Sequence, residues 1–202
     1  MILESIVTTT NEDGTTNVSP MGPNIAESSQ GVISEFELRP FDTSRTFANL
    51  KRSKMGVLHV TDDVELFARS AIGKLDDMPE LTNAANIDGA FLSGACRAYE
   101  FRVKFIDETG QRMHLNCEVV KSHRLRDFWG FNRAKHAVLE AAILATRLDF
   151  LPKEEIAESF QRLNTIVDKT GGDQERRAFE LLQTYVSATK SRSDEVRNSP
   201  SA

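Results

Sequence analysis

Cysteine, histidine and tryptophan are scarce in this chain, at two, four and one among 202 residues. Cys96 and Cys117 form no C-x-x-C pair, which leaves a zinc or thiol-redox motif without support. His59, His114, His123 and His136 lie far apart, so no structural metal site is expected. No apolar run is long enough to cross a bilayer. The start, MILESIVTTT, lacks the basic flank and the apolar length of a signal peptide. The expected setting is the cytoplasm, without a membrane partner. A net charge of −5 argues against nucleic acid as a ligand. No internal repeat, catalytic triad, H-E-x-x-H, P-loop or G-x-G-x-x-G is present.

What remains is an ordinary globular composition, 40% apolar and 27% charged, long enough for one domain or two small ones. The first part is strand-rich. Residues 4–10 and 15–19 predict a hairpin about a turn within Asn11-Glu12-Asp13-Gly14. A loop of two or four residues puts Thr8, Thr10, Asn17 and Ser19 on one face and Val7 and Val18 on the other. That polar face either lines a ligand's polar edge or faces solvent. Ser19-Pro20-Met21-Gly22 then reads as a corner with exposed backbone groups. A third strand is expected over 32–38, a short capped helix within 41–54, a buried strand over 55–60 and a helix after Asp62-Asp63. Residues 73–94 read as a long loop.

Residues 99–106 and 113–120 alternate apolar and polar, which predicts a hairpin closed by Glu108-Thr109-Gly110 with Gly110 left-handed. This register sets Phe105 opposite Met113, Val103 opposite Leu115 and Phe101 opposite Cys117. Cys96 then cannot reach Cys117. From Asn132 the period becomes helical, with Ala134, Ala137, Val138, Ala141 and Ala145 on one stripe that admits close packing. A second helix follows Pro152, with Ile156, Phe160, Leu163 and Val167 in step, and a third follows Asp173. The expected organisation is α+β: strands over 1–128, helices over 129–188 and a disordered tail over 189–202.

Several groups are candidates for chemistry. Thr43, Ser44, Arg45 and Thr46 gather three hydroxyls and a guanidinium at a helix N-terminus, with Asn49 one turn on. Backbone N–H groups and the helix dipole favour an anion there, and arginine adds a charge-assisted fork. The alternative is an ordinary cap with an exposed arginine. Trp129-Gly130-Phe131-Asn132-Arg133 covers a flat ring or plugs the join between sheet and helices. Arg124, Arg126, Arg133 and Lys135 form a local basic patch. His59, in a buried-type strand, reads as a satisfied core histidine, and His114 and His123 as exposed strand positions.

The order E-x-I-x-T-T, N-x-S-P-M-G, F-x-T-S-R-T-x-x-N-L, V-T-D-D and then FNRAKHAVLEAAILATR resembles a family of archaeal and bacterial proteins, domain of unknown function number 447. The resemblance spans roughly residues 3–170. It implies an FMN-binding split β-barrel of the flavin-reductase type followed by a helical subdomain, and a homodimer with FMN near the subunit interface. It also implies that Ser44, Arg45, Thr46 and Asn49, with Thr43 adjacent, hold the FMN phosphate. Asn17, Ser19, Pro20, Met21 and Gly22 would lie along the isoalloxazine ring. The chain departs from the family at His59, where asparagine is common, and at Val64, where proline is. The implied activity is that of an FMN-dependent oxidoreductase using a nicotinamide or a pterin-type carrier of one-carbon metabolism. The alternative is a non-enzymatic flavin-binding electron carrier that docks through its alanine-rich helix face. Haem or pyridoxal phosphate ranks last, since no lysine or axial histidine stands out.

Overall fold

The computed structural model describes residues 1–26, 32–110 and 112–198, the side chains of 190–198 excepted. Two compact units emerge, one of residues 1–62 and 77–128 and one of residues 63–76 and 129–202. The sequence reading ran one domain through 1–128, whereas the contacts group residues 63–76 with the helices.

The first unit is built on an antiparallel six-stranded sheet. It contains β1 (Ser5–Thr10), β2 (Thr16–Met21), β3 (Glu35–Leu38), β4 (Met55–Val60), β7 (Arg97–Asp107) and β8 (His114–Arg124), in the order β2-β1-β4-β7-β8-β3. The strands do not close into a barrel: β2 and β3 are the edges of the order. Asn24 makes isolated bridges to Ile2 and to Glu37. Pro20 lies within β2, where a strand end was expected. An edge position accommodates it, because no outer ladder needs its missing N–H.

Helix α1 (Arg45–Ser53) is short and amphipathic. Its Phe47 and Leu50 pack into the concave core with Val7, Leu58, Tyr99 and Phe101. Phe36 meets Phe101 edge to face at 5.1 Å. Gly56 is required by this packing: a Cβ there would stand 2.8 Å from Phe101 Cζ and 3.0 Å from the Thr8 carbonyl.

Three expected features come out differently. The β1–β2 turn has three residues, Glu12-Asp13-Gly14, with Gly14 at φ 81° and Asn11 N–H donating to the Thr15 carbonyl at 2.8 Å. Thr8 therefore pairs with Val18 and Thr9 with Asn17, so Thr8 and Thr10 lie on the face opposite Asn17 and Ser19. The β7–β8 hairpin carries irregularities at Glu100/Phe101 and Val103/Phe105, which shift its register. Val103 faces Cys117, Phe101 faces Val119, and Phe105 turns out to 60% exposure. Gly110 is not left-handed. The expected 73–94 loop holds a second small hairpin, β5 (Leu81–Asn83) with β6 (Ala90–Leu92). Cys96 and Cys117 are both free and buried.

The second unit packs α2 (Val64–Ala71), α3 (Arg133–Ala145), α4 (Lys153–Thr170) and α5 (Asp173–Asn198) about one core. The alanine stripe of α3 is buried inside it, so it is not a docking face. Helix α5 runs to Asn198 where a disordered tail was expected from 189. No proline interrupts the stretch before Pro200, and its lysine, arginine and glutamate residues favour helix. Residues 199–202 lie outside the described residues. Among the described residues, no helix is long and apolar enough to cross a membrane.

Both cores leave little room for added volume. Gly56→Ala is expected to cost about 1–3 kcal/mol, and Ala141→Leu, at a position of zero exposure, a similar amount. Urea denaturation of each variant checks this; an unchanged midpoint would contradict the close approach at that site.

Candidate functional site

The N-terminal turn of α1 gathers polar residues at the edge of the first unit's core. Ser44 caps the helix, its Oγ accepting from Phe47 N–H at 3.1 Å and donating to the Phe41 carbonyl at 2.8 Å. Asp42 Oδ1 accepts from Thr43 N–H at 2.8 Å. Thr43 and Arg45 are exposed, and Thr46 and Asn49 are buried. The first turns of α1 and α3 contain no acidic residue, whereas α2 has one and α4 and α5 have two each. The Thr43 and Thr46 hydroxyls, the Arg45 guanidinium and the backbone N–H groups of Arg45 and Thr46 fit an anion such as a phosphate. Asp13 on the β1–β2 turn feels the Arg45 charge, but its carboxyl is held low chiefly by bonds from Thr15.

Beneath this turn lies an amide–hydroxyl network. Asn17 Nδ2 donates to Thr46 Oγ1 at 3.1 Å and to Thr9 Oγ1 at 3.2 Å. Asn49 Nδ2 donates to Thr9 Oγ1 at 3.0 Å and to Asn11 Oδ1 at 2.8 Å. Arg52 Nη1 donates to Asn49 Oδ1 at 3.4 Å, and its Nη2 to the Thr10 carbonyl. The network brings Asn17, Thr46 and Asn49 together around Thr9, which the sequence reading passed over. Thr9 became visible only when the turn length was known. Asn49 has both amide hydrogens committed to β1, so it ties the helix to the strand.

The remaining expected residues scatter. Thr8 is buried on the other face and donates to the Ala90 carbonyl at 2.6 Å. Thr10 shares that face. Ser19, Pro20 and Met21 are half-buried on β2 and Gly22 follows, exposed; Ser5 Oγ donates to the Met21 carbonyl at 2.6 Å. Trp129 and Phe131 are 90% and 93% exposed. Three of the four cations of the basic patch are in ion pairs: Arg124 with Asp127, Arg126 with Asp62, and Lys135 with Glu175 at 2.8 Å.

The outer face of the sheet carries a second polar group. His59 is fully buried, with Nδ1 3.1 Å from the Ile6 carbonyl and Nε2 accepting from Leu92 N–H at 3.1 Å. A backbone N–H on one nitrogen and a carbonyl on the other fix the neutral Nδ1–H form. Burial pushes the imidazole down to about 4, against the raising effect of the Ile6 carbonyl. His59 is thus the satisfied core histidine that the sequence suggested. His123 is not a plain surface residue. Its Nε2 lies 2.7 Å from Glu100 Oε1, and its ring stacks on Phe91 at 4.8 Å. Glu100 is fully buried and also accepts from Ala85 N–H at 2.8 Å and Asn86 N–H at 2.7 Å. Burial pushes its carboxyl up, but Ala85, His123 and Asn86 outweigh that and hold it below the usual range. His114 likewise pairs with Glu37, at 2.6 Å. Together His59, Glu100 and Thr8 clamp the β5–β6 hairpin onto the sheet. Among the described residues, no three of His, Cys, Asp and Glu are placed to hold a metal.

The model of a protein of unknown function, DUF447, matches in both parts, its N-terminal domain over residues 3–126 and its C-terminal part over 132–184. The chain belongs to the DUF447 family. An FMN-bound DUF447 protein from Methanosarcina mazei is 25% identical, with a TM-score of 0.76 over 91% of this chain and 94% of that one. The 2-nitrobenzoate 2-nitroreductase of Pseudomonas fluorescens is 20% identical, with a TM-score of 0.50 over 60% of this chain and 64% of that one, a likeness of fold alone. A comparison with curated proteins found no match.

His59 makes a pH prediction. An unfolded histidine gains its proton near pH 6.5, while the folded one resists until about pH 4. The unfolded state therefore binds more protons in that window, and stability falls as the pH drops through it. Its share of the loss is about 2 kcal/mol between pH 7 and pH 5. The His59→Asn protein is expected to lack that slope when urea midpoints at the two pH values are compared. An unaltered slope would show that His59 titrates normally.

Proposed function

We propose that this DUF447 chain is an FMN-binding flavoprotein that serves as an oxidoreductase, with the flavin phosphate at the first turn of α1. The observation that carries the reading is the α1 turn itself, an acid-free helix start with Ser44, Arg45 and Thr46, in a family with an FMN-bound member similar over nearly the whole chain. On this reading the open six-stranded sheet, with its single bridges at Asn24, is the split barrel of the FMN-binding type.

Within it, Thr43, Arg45 and Thr46 contact the phosphate through hydroxyls, backbone N–H groups and one guanidinium, and Ser44 shapes the turn as its cap. Asn49 holds α1 against β1 from behind. Ser19, Pro20, Met21 and Gly22, at the end of the edge strand β2, line the ring. A second copy of the chain completes the site. Bound FMN supplies hydride or electron transfer, and the protein supplies binding, orientation and electrostatics. The partner is a reduced nicotinamide or a pterin-type carrier. The burial of the α3 alanine stripe removes the surface on which the electron-carrier alternative relied.

The purified protein is expected to be yellow and to release FMN identifiable by mass. Arg45→Ala with Thr46→Ala removes charge-assisted and hydroxyl bonds together and should weaken FMN binding about 100-fold, the equivalent of about 3 kcal/mol. Flavin-fluorescence titration measures it, and an unchanged affinity would sink the phosphate assignment. Saturable oxidation of a reduced nicotinamide separates an enzyme from a carrier.

A further inference from the structure

Asn17 sits on the face of β2 that looks toward α1, not at the β2 corner with Ser19 to Gly22. Hydrogen-bond polarity in its network is constrained from one end. Arg52 offers only donors, so Asn49 must turn Oδ1 toward it and Nδ2 toward Thr9 and Asn11. Thr9 Oγ1 accepts from Asn49 and from Asn17, which fills both of its lone pairs. The two hydrogens of Asn17 Nδ2 are used on Thr9 and Thr46. Thr46 Oγ1 is thereby an acceptor toward the strand, and its own proton turns away from Asn17. Thr46 is only 2% exposed, so that proton reaches only what lies directly against the first turn of α1.

We propose that Asn17 is a positioning residue for the flavin phosphate: it acts through the Thr46 hydroxyl, which it fixes as a donor, and does not touch the flavin ring. The inference rests on the FMN reading above. A phosphate oxygen is an acceptor only, so a hydroxyl held with its proton outward is the polarity it needs. Riboflavin shares the ring and lacks the phosphate. An effect transmitted through Thr46 must therefore separate the two flavins, and a general loss of packing must not.

The test is a double-mutant cycle on the full chain stripped of flavin, with FMN and riboflavin as probes and flavin-fluorescence quenching as readout. Asn17→Ala and Thr46→Val are each expected to lower FMN affinity about tenfold, the worth of one hydrogen bond to a charged group, with riboflavin affinity within about twofold of wild type. The double variant should be no weaker than Thr46→Val alone. Equal losses for both flavins on Asn17→Ala, or losses that multiply in the double variant, would overturn the positioning role and leave the phosphate site standing. A wild-type protein that binds FMN no tighter than riboflavin would overturn the phosphate site itself, and this inference with it. Should Asn17→Ala fail to fold, Asn17→Asp keeps the shape but takes up the Thr46 proton, and it must then cost FMN affinity and spare riboflavin.

Discussion

A three-residue turn governs the strand ribbon on which the rest of the first unit is assembled. Gly14 takes the left-handed conformation that ends the Glu12-Asp13-Gly14 turn, and Asp13 steadies it by accepting from the Thr15 N–H at 3.0 Å and hydroxyl at 2.6 Å. With that count Thr9 stands opposite Asn17, and both point at α1. One residue fewer would reverse every side chain of β2. The polar layer under α1, the exit of Thr8 to the other face and the setting of the α1 turn all follow from this parity.

The two faces of the sheet solve opposite problems. On the α1 side the helix brings apolar side chains and a few polar ones, and the polar ones are satisfied by amides and hydroxyls, with the Arg52 guanidinium at the rim. On the outer side the β5–β6 hairpin is short and has only a small apolar cluster, centred on Val57, Ile87, Phe91 and Ala98. It is secured by groups that do ionise. Glu100 takes two backbone N–H groups of its loop, and His59 takes one at its far end. A buried carboxylate with three donors and a buried neutral imidazole with two partners are stable only while each keeps its protonation state.

The helical unit stands on its own core, with Phe160 and Phe179 at its centre, 5.5 Å apart. Polar bonds close its helix starts: Asn132 Oδ1 caps α3, Gln174 reaches Asp63 at 3.0 Å, and Glu175 joins Lys135 to the Gly172 N–H. The chemistry proposed for the DUF447 chain rests on the first unit and its α1 turn.

Local signals were enough for several elements. Ser44 and Asp63 were readable as caps, β4 as a buried strand, and the α3 stripe as a packed face, because each depends on neighbours within one turn or one strand. The cluster Thr43 to Thr46 with Asn49 was legible for the same reason, as was His59 in its apolar strand. Pairing across distance was not legible. The bulges of β7–β8 spoil the parity that an even alternation promised, and Phe105 faces outward because of them. The Glu100–His123 pair looks in sequence like two solvent-facing strand positions; only the hairpin folded over them makes them interior. The sequence by itself determined most of the helices and strands, since propensity, capping and periodicity are local. Tertiary structure decided which hydroxyls share a face, which amide holds which hydroxyl, and which acids are buried, since those depend on one turn's length and on chains that meet from far apart.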